Sequence, residues 1–351
     1  MRGNHVIGEA AIRAGCRFYA GYPITPQNEL TEYMASRLSE VEGGIFIQAE
    51  SELAAINMVM GASMAGTWAM TSSSSPGISL KQEGISFLSA MELPAVIVNM
   101  SRGGPGLGNI APSQSDYFQA TRGGGHGDYR NIVLAPDSVQ ELADLTTKAF
   151  ALADKYRIPV LVLGDGMLGQ MMEPVEFEDF REPEKQPVKD WALTGAKGRG
   201  SRVIKSLLLD PAVEEQHNWK LVRKYDRIRE EETRCTTFMM DDALLAVIAF
   251  GTAARISKGA IMRAREQHIK VGMIRPVTVW PFPYETIQKI SKRVNRFLVF
   301  ELNTGQMIED VRLALDGHGD VHFYGRPGGV VPTPLEISRV IASQYYQRRL
   351  V

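Results

Sequence analysis

The chain has 351 residues, 44% of them hydrophobic and 23% charged, which is ordinary globular composition and enough for two or three domains with real cores. A formal net charge of -1 argues against a nucleic-acid binder, which carries a basic excess. No apolar run reaches the ~18 residues of a membrane span and no signal-peptide core opens the sequence, so a cytoplasmic location away from membranes is expected.

The first predicted elements are a helix over 4–14 and a strand over 17–20. GYPITPQ (21–27) follows, where two prolines around Thr25 forbid further strand pairing and set a rigid corner. Pro26 suits the start of a helix ending at 37. Thr25 is thereby presented at a strand's C-terminal end, where open parallel sheets bind ligands, although a plain N-cap is the competing reading. IFIQAESELAAINMVMGASMAG (45–66) is the stretch around which the chain is organised. It reads as a buried strand, a turn and a helix with Ser51 as N-cap and Glu52 in the first turn. Ala54, Ala55, Gly61, Ala62, Ala65 and Gly66 leave one face of that helix bare, which permits close approach of another backbone. Glu52 is either an ordinary dipole-stabilising glutamate or a half-buried acid at a cleft.

A strand over 67–71 leads to SSSSPG (72–77), a hydroxyl-rich turn that either holds an anion or caps the helix predicted over 78–90. The apolar run 95–100 is a buried strand. SRGGPGLG (101–108) is no dinucleotide fingerprint, because a proline interrupts it and no amphipathic helix follows. It places Arg102 at a strand end, where a guanidinium fork suits a carboxylate. RGGGHGD (122–128) has the composition of a moving lid and carries His126. A strand over 132–135, a helix to 155 and a strand over 159–163, expected as the last of the domain, complete a doubly wound parallel sheet within 1–177. GDG (164–166) invites a metal–diphosphate reading, but the asparagine pair that would complete the coordination is missing, so Asp165 is read as a turn residue.

Residues 178–240 read as a charged linker with one helix near its end. The segment 241–351 reads as a smaller α/β domain. Its strands are expected over 243–250, 271–274, 296–301 and 321–324, with helices over 253–267, up to 315 and over 334–348. RPVTVWPFP (275–283) is expected to be a stiff connection. Cys16 and Cys235 cannot supply a four-cysteine site, so any iron–sulfur chemistry belongs to another chain.

Five stretches together resemble one family: GYPITPQ, 50–66, 72–77, 100–108 with DYFQA (116–120), and 275–283 with ELNTGQM (301–307). The chain is similar to the α subunit of the thiamine-diphosphate-dependent 2-oxoacid:ferredoxin oxidoreductases. AIRAGCRFYAGYPITPQNEL and TSSSSPGISLKQEGIS are most similar to the 2-oxoisovalerate (branched-chain) type. The resemblance implies a pyrimidine-binding domain followed by a transketolase C-terminal-like domain. It implies Mg2+ and the diphosphate-binding domain on a β subunit, [4Fe-4S] clusters in partner subunits, γ and ferredoxin-like δ subunits, and no metal on this chain. Ferredoxin would take the electrons and coenzyme A the acyl group, in an anaerobic type of metabolism.

Glu52, nine residues before Gly61, matches the family's activating glutamate. A carboxylic acid hydrogen-bonded to the pyrimidine nitrogen helps the cofactor lose its thiazolium proton, and burial among small residues would keep that acid protonated. By resemblance Glu52, Tyr22, Pro23, Ile24 and Ser75 meet the cofactor, while Thr25, Arg102, Asn109 and His126 face the substrate. The competing readings are a 2-oxoglutarate or aryl-2-oxoacid enzyme, a non-redox transketolase-like subunit, and a structural subunit without chemistry.

Overall fold

The computed structural model describes residues 1–177 and 189–347. The first part runs α1 (Gly3–Ala14), β1 (Phe18–Gly21), α2 (Asn28–Arg37), β2 (Ile45–Gln48), α3 (Glu52–Met64), β3 (Ala69–Ser73), α4 (Ser75–Ala90), β4 (Ala95–Ser101), α5 (Tyr117–Arg122), β5 (Ile132–Leu134), α6 (Val139–Tyr156), β6 (Pro159–Asp165) and α7 (Gly166–Gln170). Next come α8 (Pro211–Glu232), β7 (Cys235–Phe238), β8 (Leu245–Ile248), α9 (Gly251–Glu266), β9 (Val271–Pro276) and β10 (Thr278–Trp280). The chain ends with α10 (Tyr284–Ser291), β11 (Arg296–Glu301), α11 (Met307–Leu315), β12 (Asp320–Gly325) and α12 (Pro334–Tyr346).

The apolar, β-branched runs form two sheets buried by helices, as parallel sheets require. The larger has the order β10-β5-β6-β4-β3-β1-β2 and is parallel except for β10. The smaller has the order β12-β11-β8-β9-β7 and is parallel except for β7. α1 packs on α2 and α6, while α3 packs on α4. Right-handed crossovers put these two groups on opposite faces of the larger sheet. β1 lies between β2 and β3, so the strand order reverses across β1 and β3. Such a reversal opens a crevice at the strands' C-terminal ends.

The boundaries depart from expectation where turn chemistry competes. α2 starts at Asn28 after Gln27, so Thr25 is not its N-cap and Pro26 does not begin it. β3 ends at Ser73, and α4 begins at once with Pro76 in its first turn, where a missing N–H costs nothing. The segment 275–283 is more than a connection: Thr278 and Trp280 pair with Leu134 and Val133, and β10 covers the exposed edge of β5. β6 is therefore not the last strand of its sheet. β7 lies in the segment expected as linker, yet pairs with β9. The rest of that linker at 178–188, and the expected helix end at 348, lie outside the described residues.

The two sheets are joined through buried polar groups. Gln114 donates to the Phe250 carbonyl at 2.7 Å and accepts from the Leu302 N–H at 3.0 Å. Gln306 accepts from the Phe118 N–H and donates to the Ser115 carbonyl, each at 2.8 Å. Arg275 of β9 bonds both carboxylate oxygens of Glu141, at the start of α6, at 2.7 Å. Gln114→Ala would strand a buried carbonyl and a buried N–H, with an expected loss of about 2–4 kcal/mol. Urea unfolding of the full chain beside its parent measures that loss.

Candidate functional site

The crevice is built where α3 and α4 begin. Ser51 has extended backbone, and its hydroxyl accepts from the Ala54 N–H at 3.1 Å, fixing the start of α3. Glu52 follows immediately and is 6% exposed. Its carboxylate has no hydrogen-bond or ion-pair partner among the described residues. It lies over the first turn of α4, at Gly77. A methyl group there would stand 2.5 Å from Glu52 Oε1 and 2.0 Å from Ser73 Oγ, so only glycine admits the carboxylate. The positive ends of both helices thus meet the same acid. Ser73 and Ser74 are fully buried, and their hydroxyls have no partner among the described residues. An open acceptor beside two open hydroxyls is what a heteroaromatic amine ring requires. The site therefore fits the pyrimidine of thiamine.

A second group lies across the ends of β1 and β4. Arg102 is buried; it donates to the Thr25 carbonyl at 2.9 Å and the Leu107 carbonyl at 3.0 Å, and its Nε is buried without a partner. The structure thus brings Thr25 and Arg102 together, but through the threonine backbone, with most of the guanidinium already engaged. The Ser75 hydroxyl accepts from the Arg102 N–H at 3.0 Å and donates to Asp116 Oδ2 at 2.6 Å. Its place is in the scaffold under Arg102. Asp116 also accepts from Asn99 at 2.8 Å.

Tyr22 and Pro23 are exposed at the end of β1, and Ile24 is half-buried. Asn109 is held elsewhere: its amide donates to the Gly328 carbonyl at 3.0 Å and accepts from the Ala111 N–H at 2.9 Å. His126 stands apart and exposed. Its loop is tied by the Gly124 N–H to Gln82, about 10 Å along α4 from Ser75 at 1.5 Å per residue. Asp165 sits at the turn from β6 into α7. It is buried as the N-cap of α7, and burial pushes its carboxyl up to about 6 against two backbone N–H donors.

Sequence reasoning missed three residues of this region. Gly77 was visible only as the end of a turn, and Asp116 only as the first residue of the DYFQA motif, with no role attached. Lys81 shares a helical stripe with Ile78, Ile85 and Leu88, a spacing that marked it as buried. Among the described residues no group of His, Cys, Asp or Glu side chains has metal-ligating geometry. A cavity of about 510 Å³ between Arg122, Arg229, Trp280 and Tyr284 lies at the N-terminal end of β5, away from the crevice.

Residues 9–233 match the family described as pyruvate flavodoxin/ferredoxin oxidoreductase, thiamine diphosphate-binding. The chain belongs to that family. Residues 243–337 match pyruvate:ferredoxin oxidoreductase core domain II. The family resemblance read from the motifs is therefore correct, and the chain is an oxidoreductase subunit of thiamine-enzyme fold. It is 49% identical to the ketoisovalerate oxidoreductase subunit VorB of Methanothermobacter marburgensis, over 94% of this chain and 93% of that one. It is 39% identical to the 2-oxoglutarate synthase subunit KorA of Methanocaldococcus jannaschii, over 97% of this chain and 98% of that one.

Among solved structures, 2-oxoglutarate:ferredoxin oxidoreductase from Magnetococcus marinus matches with a TM-score of 0.85 and 26% identity. The match covers 98% of this chain and 65% of that one. An inactive split-gene transketolase tetramer matches with a TM-score of 0.62 at 12% identity, a likeness of fold. No helix among the described residues is long and apolar enough to cross a membrane.

Gly77→Ala tests whether this crevice holds the family's cofactor. The added methyl must displace the Glu52 carboxylate or Ser73, a strain of about 1–3 kcal/mol. Equilibrium titration of the assembled complex with thiamine diphosphate should show affinity falling about tenfold or more.

Proposed function

We propose that this chain is the α subunit of a cytoplasmic, branched-chain 2-oxoacid:ferredoxin oxidoreductase that acts on 2-oxoisovalerate. The observation that carries this reading is the buried, unpartnered Glu52 carboxylate seated over Gly77. The cofactor, when bound, supplies a carbanion that adds to the 2-oxoacid carbonyl and an electron sink for decarboxylation. Glu52 holds a proton at the pyrimidine nitrogen. Ser73 and Ser74 supply hydroxyls to the ring's edge. Arg102 keeps its Nε–H for the substrate's carboxylate, and Thr25 is held beside it. Asp116 and Ser75 fix the backbone from which Arg102 projects.

Only half of such a site is on this chain. Around the crevice Leu53 is 45% exposed, Leu107 79% and Ile110 62%, an apolar rim that fits burial by another chain. Helix α3 adds Met58 and Gly61 to the same exposed side, and a methyl group on Gly61 would meet nothing in this chain. A β subunit carrying the diphosphate-binding domain and Mg2+ would cover this face. Iron–sulfur clusters there and in a ferredoxin-like δ subunit would pass electrons to ferredoxin. A γ subunit would complete the assembly, and coenzyme A would accept the acyl group.

The substrate choice follows the 49% identical relative, which is named for ketoisovalerate. The test is reduction of a low-potential acceptor by the co-purified complex with coenzyme A, over 2-oxoisovalerate, 2-oxoglutarate, pyruvate and aryl-2-oxoacids. 2-Oxoisovalerate should give the highest kcat/KM. Glu52→Gln should lower kcat at least about a hundredfold, as loss of a general acid does. A complex that prefers 2-oxoglutarate would overturn the substrate, and one indifferent to Glu52→Gln would overturn the site.

A further inference from the structure

One buried charge near this site has no part in the reading above. Lys81 lies on α4 one turn after Gly77 and is 0% exposed. Its Nζ donates to Thr71 Oγ1 of β3 at 2.9 Å, and it forms no ion pair among the described residues. Burying an unpaired ammonium is costly, and a methionine would fill the same space without that cost. Helical side chains lean toward the helix N-terminus, so Lys81 leans toward the turn on which Glu52 rests. Residues one turn apart have Cβ atoms about 5–6 Å from each other. Of the elements packed here, β3 presents the uncharged Thr71 and Ser73, and α3 presents Glu52. Burial pushes the Lys81 amine down to about 7, and the Glu52 carboxylate is the charge that pulls it back up.

We propose that Lys81 is a positioning residue for Glu52, and that the two groups hold one proton between them. The proton sits on Lys81 while Glu52 is free and passes to Glu52 when the cofactor's pyrimidine engages it. No hydrogen bond joins the two groups, so the exchange runs through water: the ammonium breaks an N–H bond and gives its proton to water, water gives one to the carboxylate to form an O–H bond, and the amine is left neutral. Thr71 serves both states, because its hydroxyl accepts from the ammonium and donates to the amine. The pair's net proton count is thereby unchanged when the cofactor binds. This inference rests on Glu52 acting as the cofactor's acid.

The experiment is calorimetric titration of the cofactor-stripped complex with thiamine diphosphate and Mg2+, about one pH unit below the Lys81 value of about 7, in buffers of differing ionisation enthalpy. Titration of the diphosphate is common to all variants and cancels. Lys81→Met should take up about one more proton on binding than the parent. Its affinity should fall up to about tenfold per pH unit across the neutral range, where the parent's falls only above about pH 7. Equal proton uptake and parallel affinity curves would overturn the proposal. No binding by the parent complex would instead overturn the functional reading.

Stability gives a readout free of the cofactor. A lysine whose folded value is depressed leaves the unfolded chain binding more protons, so stability rises with pH from about 7 toward the ordinary 10.5. That rise should be present in the parent's thermal midpoint and absent in Lys81→Met, and its persistence in the variant would count against Lys81 as its source. If Lys81→Met does not assemble, Thr71→Val withdraws the ammonium's partner and should give the same extra proton uptake. Uptake unchanged in that variant would refute the coupling.

Discussion

The crevice depends on one close approach, that of the Glu52 carboxylate to the first turn of α4. A carboxylate on a mostly buried side chain needs compensation, and here it comes from two helix N-termini, with the absence of a side chain at Gly77 making room for it. The approach requires α3 and α4 to lie side by side on one face, which follows from β1 standing between β2 and β3. It also requires α4 to begin without delay after β3. Ser74 and Pro76 achieve this, one by its extended backbone and the other by fitting the first helical turn.

The second part of the chain reaches this crevice without lining it. Residues 113–118 are held against Leu302, Asn303 and Gln306 by hydrogen bonds running in both directions. The same segment carries Asp116, which supports Ser75 and, through it, the Arg102 backbone. Tyr117 adds a bond of 2.7 Å to the buried Asp310 of α11. The position of Arg102 is therefore set from both sheets. A displacement of the smaller unit would be felt first at Arg102 and last at Glu52.

Much of this was legible before any coordinates, and the reasons differ by residue. The β-branched runs 95–100 and 159–163 announced buried parallel strands, and Ser51 with Glu52 announced a helix start while leaving the role of the acid open. The pairing of Thr25 with Arg102 could be named only through family resemblance, because the residues lie far apart in the chain. Asp116 stood in a family motif without a role, since one aspartate before a tyrosine otherwise looks like any loop acid. β10 was hidden by its flanking prolines, which mark a loop in sequence but here merely end a short strand. Lys81 went unread, because its apolar spacing and its charge point in opposite directions.

The short strand β10 also bears on how the chain can be divided. It leaves β9 of the smaller sheet, crosses to pair with β5 of the larger one, and returns to the smaller unit through α10. β7 lies before the second matched segment and belongs to the smaller sheet. A gene break near residue 240 would leave one fragment lacking its outer strand and the other lacking an edge. The two parts are interleaved through the backbone itself, so fission or domain exchange at the apparent linker would produce two incomplete sheets with exposed edges. A workable cut would have to carry β7 with the C-terminal piece and supply β10 to the N-terminal one.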